Sequence, residues 1–348
     1  MTPPLRVIAL LVTVASLTAC SQPDPGTFRV AAQESGTTGS LRGLSVVSDD
    51  VVWIGAQDGE VLRTHDGGET WQVSVASLAD GADLRSAHGF STDHALFITA
   101  GQPARILETR DRGNTFSLVW EDQTGAAFFD SLAFWDAERG IAFSDPVDGA
   151  FLVLRTLDGG ASWHALDELP EPLPSEAGFA ASNSSIALTA SGCAFIGTGG
   201  GDRARVLRSC NYGDSWSAVD TPMATGSPGA GVFAVTSTPD GYLAVSGGDY
   251  QAPDESAGTF AISPDQGETW LATADQPLGY RSDIERLGSV WVAVGTNGID
   301  LGEASDGSVR WSASGWGIVA PNAIAKSPSG RTAWIVGANG GIWRVTRE

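Results

Sequence analysis

The stretch LRTHDGGETW, residues 62–71, returns along the chain in near copies. TRDRGNTF begins at Thr109, TLDGGASW at Thr156, SCNYGDSW at Ser209 and SPDQGETW at Ser263, with a shortened SDGSVRW at Ser305. The shared template is Ser/Thr-x-Asp-x-Gly-x-Ser/Thr-Trp, repeated every ~40–55 residues, the length of a four-stranded propeller blade. Each position has a physical task. The Asp or Asn side chain accepts hydrogen bonds from N–H groups of its own turn. Gly supplies the positive φ of the turn. The hydroxyls tie the two arms together, and the aromatic opens the next strand and fills space between units. Asp66, Asp111, Asp158, Asn211 and Asp265 are therefore expected to be structural, and each brings too few oxygens to hold a metal ion.

Working outward from each box gives an inner strand, a turn, a second strand, a turn, a third strand, the box and an outer strand. Strings such as VVWIGA and EVLRTH support this through alternating apolar and β-branched residues. Seven units follow, at 41–75, 84–120, 128–166, 178–219, 231–273, 280–313 and 322–346. The last lacks a box and an outer strand. TFRVAAQ, residues 27–33, can supply that strand and close the ring. The expected fold is all-β: one seven-bladed β-propeller over 28–348, with four-stranded blades. In it Cys193 opens the second strand of unit four and Cys210 ends the third, at positions equivalent to Val51 and His65. They are expected to face one another and form a disulfide; the alternative is two free buried thiols.

The recurrent box is the Asp-box, or BNR, repeat. Its flanks, VVWIGAQDGEVLRTHDGGETW (51–71) and ERGIAFSDPVDGAFLVLRTLDGGASW (138–163), resemble the propeller family of photosystem II stability and assembly factors, which has many bacterial relatives. The resemblance implies a seven-bladed propeller that acts as a scaffold rather than a catalyst.

Arg6 and an apolar run at 7–19 precede LTAC, residues 17–20. The run falls short of the ~20 apolar residues of a membrane-spanning helix and suits a secretory signal. LTAC resembles a bacterial lipobox, with Cys20 lipidated, 1–20 as the signal peptide and 21–27 as a tether; the competing reading is an ordinary cleaved signal. The lipobox places the protein in the cell envelope, with Ser21 favouring the outer membrane and a periplasmic propeller. The chain has 348 residues, 42% of them apolar, a net charge of -21 and a single lysine, Lys326. That balance excludes a phosphate-tracking nucleic-acid surface and leaves membrane contact to the lipid anchor alone.

Ligands of propellers gather on the face opposite the boxes, at the channel mouth. There the inner strands begin with SLRG, DLRS and GYRS, which place Arg42, Arg85 and Arg281 at matching positions, with Asp130 and Asn322 in units three and seven. The loops between second and third strands add Asp145, Asp249, Tyr250 and Asp300, and Tyr280 precedes Arg281. Guanidinium groups grip carboxylates bidentately, so Arg42, Arg85, Asp145, Asp249, Tyr250, Tyr280, Arg281 and Asp300 form the candidate ligand-binding set. The expected partner is a protein, or an anionic small molecule such as an acidic sugar. In the competing reading the arginines only brace loops. The second function class is a glycoside hydrolase: TFRVA (27–31) resembles the N-terminal arginine motif of sialidases, but lacks its proline, and seven units replace the six of that family. No catalytic residue, cofactor or metal is expected. The aromatics recur at blade spacing as inter-blade core, with Phe179 and Trp316 outside that pattern.

Overall fold

The computed structural model describes residues 27–347 except 239, 306 and 307. Cys20 and the lipobox lie outside the described residues. Among the described residues, twenty-eight strands form seven antiparallel four-stranded sheets. Six sheets take four consecutive strands each. Blade one, for example, runs Leu41–Val46, Val52–Ala56, Glu60–Thr64 and Gln72–Val75. The seventh contains Pro321–Lys326, Thr332–Gly337 and Ile342–Arg347, and its outer strand is Phe28–Gln33. The closing register runs from Phe28 opposite Arg347 to Gln33 opposite Ile342.

Each blade is buried on both faces, because each has a neighbour on either side. Along Val52–Ala56 every residue is buried. Val52 and Ile54 pack toward blade seven, with Trp334 and Val336. Trp53 packs toward blade two, with Leu84 and Phe97. Period-two alternation thus selects a neighbouring blade instead of separating core from solvent. Seven such inter-blade clusters circle the ring.

The boxes are self-contained hydrogen-bonded turns. In the first, the Thr64 hydroxyl donates to Asp66 Oδ1 (2.7 Å) and accepts from Gly68 N–H (2.9 Å), while Thr70 N–H donates to Asp66 Oδ1 (3.0 Å). Asp111, Asp158 and Asp265 repeat the scheme. Asn211 does the same through its amide oxygen, and its Nδ2 donates to Ser215 Oγ (2.9 Å). Hydrogen bonds from Thr70 and Thr269 hold the Asp66 and Asp265 carboxyls below the usual carboxylate range, Asp265 at about 2. The box oxygens are committed to their own turns. Cys193 and Cys210 are disulfide-bonded just beyond the Ala194–Ser209 pair of blade four.

Unit four differs from the expectation. Its inner strand is only Ile186–Leu188 and does not begin at 178. Ala177 bridges Gly199, and Gly197 N–H bonds Ser185 O, so 178–184 leave the sheet between two points of pairing.

Two stability outcomes follow. Gly68 (φ +85°) and Gly81 (φ +78°) share a left-handed backbone, but a Cβ on Gly68 would lie 2.5 Å from the Trp334 ring, whereas nothing lies within 4 Å of one on Gly81. Gly81→Ala should cost about 1 kcal/mol from backbone strain alone, and Gly68→Ala at least about 1–3 kcal/mol more; equal urea midpoints would refute the packing role. Replacing both Cys193 and Cys210 by Ser should lower stability by about 2–4 kcal/mol, read from urea unfolding.

Candidate functional site: the plugged channel mouth

One residue at the start of the inner strand is bulged in five blades. The register shifts fall at Arg42, Arg85, Asp130, Phe233 and Asn322. A bulge re-aims its side chain, and here four of the five turn to the segment 178–184. Arg42 Nη1 donates to Ala181 O (2.6 Å) and Arg85 Nη1 to Ala180 O (3.5 Å). Asp130 lies against Gly178, and Phe233 stacks on Phe179 with ring centroids 3.8 Å apart. Asn322 Nδ2 bonds Leu41 O (3.0 Å) on the adjoining inner strand.

The segment 178–184 is a plug. Asn183 Nδ2 donates to Leu44 O (3.1 Å) of blade one and Ala87 O (2.9 Å) of blade two, and its Oδ1 accepts from Ala87 N–H (2.9 Å) and the Ser86 hydroxyl. Ser131 Oγ of blade three donates to Asn183 O (3.1 Å). Val235 N–H of blade five bonds Ser184 O (2.8 Å), and Ser182 Oγ bonds Ser282 O (3.0 Å) of blade six. Only the ring axis lies within reach of five inner strands at once. The small side chains of 180–184 let the chain pass there, and its backbone groups find partners on the surrounding blades.

Above the plug, Arg42 and Arg85 share the mouth with an aromatic cluster. Arg42 is half-buried and forms no ion pair among the described residues; burial and the neighbouring Arg85 charge lower its pKa. Arg85 is paired with Asp83 (2.9 Å) yet retains 34% side-chain exposure. Tyr280 is buried edge-on against Phe233 (4.7 Å), and half-exposed Tyr250 completes the rim. Burial raises the Tyr280 hydroxyl pKa, opposed by Arg42. Asp145 sits at the plug's first residue, accepting from Gly178 N–H (2.8 Å).

The structure separates the remaining candidates from this group. Arg281 does not join Arg42 and Arg85. It is buried, with Nε 2.9 Å from Asp300 Oδ2 and Nη1 2.6 Å from Asn297 Oδ1. The reason is a one-residue register offset. Gly295 and Gly337 end equivalent strands, so Ser282, not Arg281, matches the bulged Asn322. Arg281 falls where Leu41 and Pro321 fall, and turns into its own blade. Asp300 is the other half of that buried brace, and Asp249 closes its own turn by accepting from Gln251 N–H (2.8 Å). Arg29 is exposed on the outer strand of blade seven, whereas Arg42 and Arg85 lie on inner strands, so the three arginines of a sialidase-type cluster are not brought together. Trp316 packs edge-on against Phe28 (5.7 Å) between blades.

Sequence reading missed the plug, with its hub Asn183, and left Asp130 and Phe233 out of the site. GFAASNSS, 178–185, has no β-branched residue and no apolar alternation where an inner strand was expected, which is the one signal that could have exposed it.

The class defined by these features is a seven-bladed β-propeller whose axis is crossed by its own chain. No family model matches the sequence, and no curated protein does. Among solved structures, "YCF48 bound to D1 peptide" is similar at TM-score 0.66 and 17% identity, over 93% of this chain and 98% of that one. "YCF48 from Cyanidioschyzon merolae" is similar at TM-score 0.61 and 15% identity, over 90% and 98%. At these identities the likeness shows the fold.

Asn183→Ala should cost about 2–4 kcal/mol in urea unfolding, because it strands Leu44 O and both backbone groups of Ala87. Asn183→Asp should cost more, since a carboxylate oxygen would then face those two carbonyls. A loss under about 0.5 kcal/mol for both variants would refute the hub.

Proposed function

We propose that this propeller is a non-catalytic binding protein that holds an extended, acidic segment of a protein partner across its channel mouth, in the manner of an assembly factor. The observation that carries this reading is Arg42: a half-buried cation without an ion-pair partner among the described residues, beside the partly exposed Arg85 and an aromatic wall. A guanidinium with free donors suits a carboxylate, and the half-exposed Tyr250 ring, backed by buried Tyr280, suits an apolar side chain next to it. The plug crosses the axis, so a ligand in this reading lies across the mouth. The propeller titled as bound to a D1 peptide supports a peptide ligand by analogy of fold. The lipobox at Cys20 belongs to the same proposal: a lipid anchor in the cell envelope would hold the binding face near membrane-protein clients.

The test is a display library of acidic peptides selected on the propeller and measured by calorimetry. Arg42→Ala should weaken the selected peptides at least tenfold, about 1.4 kcal/mol, and Arg29→Ala on the outer strand should leave them unchanged. Equal affinity for the wild type and Arg42→Ala would place binding elsewhere, and hydrolysis of an acidic glycoside at the mouth would replace the reading with the enzymatic one.

A further inference from the structure

The plug carries no ionisable side chain in 178–184, yet it is seated on buried carboxyls. Asp130 is 1% exposed, and its Oδ2 has no hydrogen-bond partner among the described residues. A Cβ placed on Gly178 would be 2.3 Å from that oxygen, so the atom lies directly against the first residue of the plug. Asp145 holds the same residue from the other side through Gly178 N–H. An unpartnered carboxylate charge in that position, beside a second carboxyl, would be strongly disfavoured, whereas a neutral acid is tolerated. Burial, then Asp145, pushes the Asp130 pKa well up, and Arg85 opposes the shift. Burial also raises Asp145.

We propose that the plug is a proton-linked latch, in which neutral Asp130 seats Gly178 and residues 178–184, and loss of its proton releases them. As regulation of the mouth, this rests on the peptide-binding reading, because the plug carbonyl of Ala181 holds Arg42 and that of Ala180 touches Arg85. Opening exposes Asp130 to water and releases one proton to solvent. The latch is therefore tight below the ordinary aspartate pKa of ~4, and it weakens as pH rises until Asp130 ionises in the closed state. The groups facing Asp130 are Asp145 on its own blade and Arg85, itself paired with Asp83, on blade two. At the plug's far end stands buried Asp283, which accepts from Ile284 and Ile324 N–H. Burial raises its pKa to about 7, and Glu285, paired with Lys326, adds to the rise. Tyr280 lies within reach of the Asp283 charge, and Arg42 lies near Tyr280.

Hydrogen exchange on the ligand-free protein tests this at three amides: Gly178 (to Asp145), Ala87 (to Asn183) and Val235 (to Ser184). After correction for intrinsic exchange, wild-type protection should fall with pH more steeply than that of Asp130→Asn, by about tenfold per pH unit between pH ~4 and the titration of Asp130 in the closed state. Asp283 titrates in both proteins and cancels. Equal slopes overturn the latch. If Asp130→Asn does not fold, carboxyl carbon resonances of the wild type serve instead. Asp130 should titrate well above the usual aspartate range, together with the Gly178 amide signal. An Asp130 that is ionised at pH 5, or a Gly178 signal that ignores the titration, overturns the proposal. No peptide enters either measurement, so the latch can fail while the binding reading stands, and the reverse.

Discussion

The pairing of Phe28–Gln33 with Ile342–Arg347 makes the rest of the molecule possible. Without it seven sheets would form an open array with a raw edge at either end. With it, every blade gains two neighbours, and strands such as Val52–Ala56 can be apolar on both faces. Closure also creates a problem. Seven inner strands around an axis leave a hole lined by backbone and bulged side chains. This chain fills it with itself, using small residues whose backbone can be satisfied by the surrounding blades.

That solution determines what the mouth can do. Bulges at matching positions aim Arg42, Arg85, Asp130 and Phe233 inward, and the plug turns them into a floor rather than a channel lining. Two arginines then lie in the mouth over carbonyl oxygens, while an acid with one unpartnered oxygen lies beneath. The cations and the buried acid are kept at different depths. Arg85 is the point of contact between them, since it is paired with Asp83 and also opposes the Asp130 shift.

The Asp-boxes, the blade count, the closing strand and the disulfide pair were legible in the sequence. The box is built from hydrogen bonds between residues two and four apart, such as Thr64 to Asp66 and Asp66 to Thr70. An interaction that short is written in adjacent letters, and its recurrence sets the spacing of the blades. The alignment of Cys193 with Cys210 follows from the same local hairpin. The arginine at 281 shows where this stops. GYRS matches SLRG and DLRS by eye, but its strand pairs one residue out of step, and a slip of one residue sends a side chain to the other side.

By itself the sequence determined a closed ring of seven blades, because its repeated turns, its strand patterning and its unpaired first strand are local facts. Only the tertiary structure decided that 178–184 crosses the axis, that Asn183 joins the inner strands around it, and that Asp130 is sealed beneath Gly178. Those contacts join residues up to 139 positions apart, as Asn183 does with Leu44. They depend on where seven strands converge, which no single stretch of the chain encodes.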